Sequence, residues 1–227
     1  MQFQTISQTG SLAQGQNKVL RSTYMMLALT MIPTVIGAFM GMAVNFSFMA
    51  LHPVMAPLLM FAVMMGMLFA VSALRNSVWG IVMLLGFTFV AGFFLGPILQ
   101  HALHFRNGAQ LIGMAAGGTG IIFFTLATIA TVTKKDFSFM GKFLFIGVVL
   151  LVVASLANIF FQVPALSLTI SAIAVLIFSA YILYDISQII NGGETNYVMA
   201  TMSLYLDIYN IFVHLLSLLM AFSGDRD

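Results

Sequence analysis

The sequence contains no cysteine. That excludes a disulfide framework, a thiolate metal site and a Cys nucleophile, and it says nothing about redox compartment. Charge is almost as scarce: Asp, Glu, Lys and Arg make up 6% of 227 residues, against roughly 25% in an average soluble domain. With 61% hydrophobic residues and a mean hydropathy of +1.08, the chain has too little charge to cover a water-facing surface. The pI near 9.0 rests on eight basic against six acidic residues. No basic cluster is able to grip a phosphate backbone, so no nucleic-acid partner is expected and the net charge of +2 reads as membrane orientation charge.

What is present is apolar sequence in seven runs, roughly 24–45, 54–74, 79–99, 109–132, 143–162, 165–190 and 198–222, joined by short connections. Each is close to the ~20 residues that carry a helix across a ~30 Å hydrocarbon core. The expected fold is an all-α membrane protein, a seven-transmembrane-helix bundle over residues 23–222 with the lipid bilayer around it. Residues 1–22, rich in Gln, Ser and Thr, bury too little to offset their ordering entropy and read as a disordered cytoplasmic N-terminal tail; 223–227 read as a short external C-terminal tail. Lys18 and Arg21 ahead of the first run imitate a signal peptide. The run is longer than a signal core of about 7–15 residues and no small-x-small site follows it, so an uncleaved first helix is expected. A cytoplasmic N-terminus puts Lys18, Arg21, Arg75, Lys134, Lys135 and Lys142 inside and leaves Arg106 and Arg226 outside, where seven crossings also place the C-terminus.

Small residues recur four apart, as Gly37 with Gly41, Gly92 with Gly96 and Gly113 with Gly117, a spacing that lets helix backbones approach closely in lipid. Gly96-Pro97 should kink or end the third helix. The eighteen Met and twenty-two Phe residues read as core and lipid-facing filler.

Asp185 and Asp207 stand out because they interrupt the sixth and seventh runs. An ionised Asp at a helix centre costs about 2.5 to 3.5 kcal/mol on insertion scales, while each Leu, Ile, Phe or Val returns about 0.3 to 0.6. The roughly dozen such residues in the seventh run return on the order of 4 to 7 kcal/mol before Asn210 and His214 are counted. Insertion of that helix alone is marginal, so helix 7 is expected at the centre of the bundle. Ser203, Asp207, Asn210 and His214 fall on one stripe of it, and Tyr181, Asp185 and Gln188 on one stripe of the sixth; the stripes should face each other. Counted at ~1.5 Å per residue from the connecting loop, Asp185 is about 9 Å deep and Asp207 about 16 Å, so contact needs tilt or a later helix start. If the carboxyls meet, they share a proton and titrate together as an ion- or proton-sensing pair; the plainer alternative is a structural hydrogen-bonded pair. For Asp136, Glu194, Asp225 and Asp227, loop and tail roles suffice.

Enzymatic readings are weaker. Intramembrane aspartyl proteases also place one Asp on each of two neighbouring helices, the first in a Tyr-Asp like Tyr184-Asp185, but the Gly-x-Gly-Asp context of the second is missing from "LYLD". A Ser-His pair from Ser203 or Ser217 with His214 has no Gly-rich oxyanion loop nearby. No catalytic residue is assigned. His52, His101 and His104 lie in external loops as solvated side chains, so no metal site and no cofactor are expected beyond transient Ca2+ at the carboxyl pair.

These residues also carry a resemblance that spans nearly the whole chain. It resembles the Bax-inhibitor family, the transmembrane BAX inhibitor motif proteins, which implies a seven-helix bundle with the last helix at its centre. Asp185 in "LYDISQI" and Asp207 in "SLYLDIYN" match the pH-sensing aspartates of the bacterial calcium-leak members. Arg75 falls within about one residue of their latch arginine, whereas the acid those members carry in the second helix is absent here. "NKVLRSTY", "FLGPIL", "TKKDFSFMGK", "ANIFFQVPAL" and "GGETNYVMATMSLY" are similar to the YccA-type branch of Gram-negative inner membranes. That resemblance implies an inner-membrane protein with a periplasmic C-terminus that binds and modulates FtsH, a membrane-anchored ATP-dependent protease, together with its HflKC partners, the N-terminal tail serving as the handle. A pH-gated calcium or cation leak channel is the alternative the carboxyl pair implies.

Overall fold

The computed structural model describes residues 2–47 and 51–224, with side chains from residue 15 onward. Among the described residues the chain is helical, without strands. Its elements are α1 (Gln2–Ala43), α2 (Met55–Leu74), α3 (Val78–Phe94), α4 (Gly96–Leu103), α5 (Gly108–Thr133), a 3-10 turn (Ser138–Met140), α6 (Gly141–Phe161), α7 (Pro164–Ile190) and α8 (Tyr197–Ser223). Among the described residues seven segments are long and apolar enough to cross a membrane: 15–43, 55–74, 78–103, 108–133, 138–161, 164–190 and 197–223. They follow the seven apolar runs. The third is α3 and α4 in series, broken at Leu95 with Pro97 in the first turn of α4, where its missing N–H costs no helix bond.

The helical backbone of α1 runs from Gln2, and Val19 and Leu20, ahead of the first apolar run, pack against the main core.

The last helix is the hub. Among the described residues α8 touches α1, α2, α3, α4, α5 and α7, whereas α6 packs only on α7 and the 3-10 turn. Apolar side chains gain little by leaving lipid, so association depends on close fit. The glycines of α1 and α3 supply it. A Cβ at Gly37 would strike Phe89 O, one at Gly41 would strike Phe93 O, and one at Gly92 would strike Thr34 O. Gly96 lies against Gly41, its Cβ position 2.6 Å from the Gly41 carbonyl carbon. Gly113 and Gly117 have the same spacing on α5 yet face open space, with nothing within 4 Å. At the far end of α1, Gln100 Nε2 donates to Met42 O and Val44 O, each at 2.8 Å, capping carbonyls that the helix leaves unpaired.

Candidate functional site

The α7–α8 hairpin sets the register of the two acids. α7 ends with Asn191 N donating to Ser187 O at 2.9 Å; Gly192 then takes φ +79°, a left-handed conformation that favours glycine. The amides of Gly193 and Glu194 fold back onto Gln188 O, at 2.8 and 3.1 Å. α8 opens on Asn196, whose side chain accepts from Val198 N at 3.0 Å and Met199 N at 3.1 Å. The same side chain donates through Nδ2 to Arg75 O at 3.1 Å and Asn76 Oδ1 at 2.8 Å, so the α2–α3 loop clamps the start of the central helix.

A second clamp lies beside it. The buried Ser187 Oγ accepts from Phe137 N at 2.9 Å and donates to Lys135 O at 3.1 Å, while Gln188 Nε2 donates to Ser138 Oγ at 2.9 Å. The loop in "TKKDFSFMGK" is thereby held on the end of α7, next to "GGETN".

Within this hairpin the carboxyl groups of Asp185 and Asp207 come within hydrogen-bonding reach of each other, across the depth offset counted from sequence. Asp207 is 4% exposed and Asp185 half-buried. Asp207 Oδ2 has no hydrogen-bond partner. Tyr181 stands near both acids and Glu194 near Asp185, so among the described residues these titratable neighbours bring no positive charge.

The rest of the two stripes is only partly gathered. His214 Nδ1 pairs across the helices with Ser171 Oγ at 3.2 Å, a partner not anticipated from sequence. Asn210 Nδ2 turns back to Leu206 O at 2.8 Å, Gln188 leaves for the 3-10 turn, and Ser203 is half-buried. Arg75 lies at the C-cap of α2 with its side chain exposed; no ion pair forms among the described residues, and its backbone carbonyl accepts from Asn196. Ser217 Oγ donates to Val213 O at 2.9 Å, and with His214 engaged by Ser171 no Ser-His dyad is assembled with Ser203 or Ser217. Among the described residues no three His, Cys, Asp or Glu side chains converge; His104 Nδ1 is paired with Gln100 O at 2.7 Å.

Sequence reasoning missed a polar node formed by the tyrosines two residues either side of Asp207. Tyr205 OH lies 2.9 Å from Thr34 Oγ1 and 3.3 Å from Thr88 O, and Tyr209 OH donates to Ala91 O at 3.1 Å. These bonds tie α8 to α1 and α3. The available signal was Tyr205 and Tyr209, four apart on one face of a helix that must be central.

The class is thus a seven-span α-helical membrane protein whose central helix buries one of two facing acids. Residues 16–224 match the family described as "Inhibitor of apoptosis-promoting Bax1" (Bax1-I), and the chain belongs to this Bax-inhibitor family. It is 43% identical over 209 residues, 92% of each chain, to the "Modulator of FtsH protease YccA" of Escherichia coli (strain K12). The same figures hold for "Inner membrane protein YccA" of Escherichia coli O6:H1. An uncharacterized protein of Pseudomonas aeruginosa is 42% identical over 207 residues, 91% of this chain and 90% of that one.

Proposed function

We propose that this protein is a non-enzymatic inner-membrane modulator of the FtsH membrane protease, working alongside HflKC, with its N-terminus cytoplasmic and its C-terminus periplasmic. The observation that carries this reading is the 43% identity over 92% of both chains to a protein named for that activity. The orientation is supported by six of the eight basic residues falling on the N-terminal side of the bundle when the seven spans are followed in order. The N-terminal segment ahead of the first span is the part within reach of a protease on that side.

Asp185 and Asp207 are the element through which such a regulator would respond to pH. One proton held between the carboxyls ties α7 to α8. Its loss leaves two like charges face to face, with Glu194 and Tyr181 offering no compensation, and drives the helices apart. Because α8 also engages the α2–α3 loop through Asn196, and α7 the 134–140 loop through Ser187, a shift at the pair reaches the loops on the proposed cytoplasmic face.

A cation leak is the second reading, favoured by the buried, unpartnered Asp207 Oδ2, an acceptor of the kind Ca2+ takes when it passes as cargo. Two experiments separate them. The modulator reading predicts co-purification with FtsH in mild detergent and slower FtsH degradation of a membrane substrate; recovery of no FtsH contradicts it. Cation flux into proteoliposomes that is unchanged by Asp185→Asn with Asp207→Asn ends the leak reading.

A further inference from the structure

Among the described residues the backbones of α1 and α5 flank α8 without close approach, and the two helices meet through the edge-to-face pair of Tyr24 and Phe123, ring centroids 6.3 Å apart. Between them lies an apolar groove of about 900 Å³, floored by Tyr205, Ile208, Tyr209 and Phe212 of α8. It runs along α1 from Tyr24 to Met42, about 27 Å at ~1.5 Å per residue, nearly the full hydrocarbon thickness of ~30 Å. The walls are continuous with the lipid-facing surface: Val35, Phe39 and Phe124 line the groove and are 52%, 65% and 70% exposed. Threonine hydroxyls along it are satisfied internally, Thr119 by Ala115 O at 2.7 Å, Thr128 by Phe124 O at 2.7 Å and Thr34 by Tyr205 at 2.9 Å. What the groove offers an occupant is hydrocarbon surface.

Its two ends differ. Near one, Tyr24 OH has no hydrogen-bond partner. Arg21 stands three residues before Tyr24 on α1, and Lys134 three residues after Thr131, the last lining residue of α5; Lys18 and Lys135 flank them. All four basic side chains are exposed, and among the described residues none is in an ion pair. The acid nearby in sequence, Asp136, is engaged by Ser138 N at 2.8 Å.

We infer that this groove binds an anionic phospholipid, with its acyl chains between α1 and α5 and its phosphate at Arg21 and Lys134. Charge complementarity selects the headgroup, because basic residues at the membrane surface attract anionic lipids. The groove is apolar along its length and continuous with the lipid-facing surface at Val35, Phe39 and Phe124, a surface that extended hydrocarbon chains match. The lipid would seal the gap beside α8 and brace Tyr205 and Tyr209, so the hub that carries Asp207 is packed on that side by the bilayer itself.

The test is native mass spectrometry of the full chain in detergent, titrated with phosphatidylglycerol or phosphatidylethanolamine. Phosphatidylglycerol should be retained preferentially, and Arg21→Gln and Lys134→Gln should each cut its retention about five-fold, as one surface charge predicts, without changing phosphatidylethanolamine binding. Equal retention of the two lipids by the unaltered chain overturns the proposal, as does undiminished phosphatidylglycerol binding in the double variant. A photo-crosslinking residue at Ala116, on the exposed groove wall, supplies an independent reading in native membranes. Adducts with lipid support the site; adducts with a polypeptide assign the groove to a partner helix instead.

Discussion

Substituting Gly92 by Ala separates helix propensity from helix packing. In an exposed helix interior the change gains about 0.8 to 1.0 kcal/mol, because Ala is the better helix former. At Gly92 the new methyl would meet Thr34 O, and would stand 2.8 Å from Thr34 Cα. These are backbone atoms of α1, so no rotamer change relieves the clash and the two helices must separate. Overpacking costs typically 1 to 3 kcal/mol even where side chains yield, and separation also strains the bond between Thr34 Oγ1 and Thr88 O, now 3.2 Å. The expected net is a loss of about 1 to 3 kcal/mol, read as a lower midpoint of thermal unfolding in detergent. Gly117→Ala is the matched control: nothing lies within 4 Å, so the propensity gain should appear uncancelled. Equal midpoints for the two variants would refute the close-packed α1–α3 interface.

Three further outcomes are expected. Gln100→Leu removes the donor to Met42 O and Val44 O; it should cost about 1 kcal/mol and speed amide exchange at the end of α1, seen by hydrogen–deuterium exchange mass spectrometry. Asn196→Ala removes both the N-cap of α8 and the bonds to the α2–α3 loop, so it should cost about 1 to 2 kcal/mol, with faster exchange at Val198 and Met199. Asp136 has its carboxyl held below the ordinary value of 3.8 by the side-chain and then the backbone hydrogen bond of Ser138. A depressed carboxyl contributes stability that is complete above its unfolded value and lost as pH falls through its folded one, so any stability gap between the native chain and Asp136→Asn should be present at neutral pH and close in acid.

The spans were legible because bilayer thickness sets run length, and each run is bounded by polar residues such as "RNSV" or "NGGETN". The two acids stood out because an ionised Asp is costly in hydrocarbon, which singles out Asp185 and Asp207 among the residues of the spans. Other features depend on which faces meet, and spacing does not encode that. Gly92 and Gly117 sit in identical patterns, yet one is pressed against Thr34 and the other is open. The Ser171 partner of His214 lies 43 residues away, and Thr34, the partner of Tyr205, lies 171 away. Arg75 resembles a latch in sequence, but the C-cap position of α2 leaves its side chain outward and its carbonyl bonded to Asn196. The groove is the gap left between α1 and α5, helices separated by two spans in the chain whose backbones do not approach closely, and no local pattern records it.

Shared possession of one hydrogen ion by Asp185 and Asp207 is best tested by pH-difference infrared spectroscopy of the reconstituted protein, following the carboxylic-acid carbonyl band in the native chain, Asp185→Asn and Asp207→Asn. With the proton shared, the pH midpoint at which Asp185 titrates moves by about one unit or more when Asp207 becomes Asn, since strongly coupled sites titrate as a pair. Midpoints for each aspartate that stay the same whether or not the other is present would contradict it.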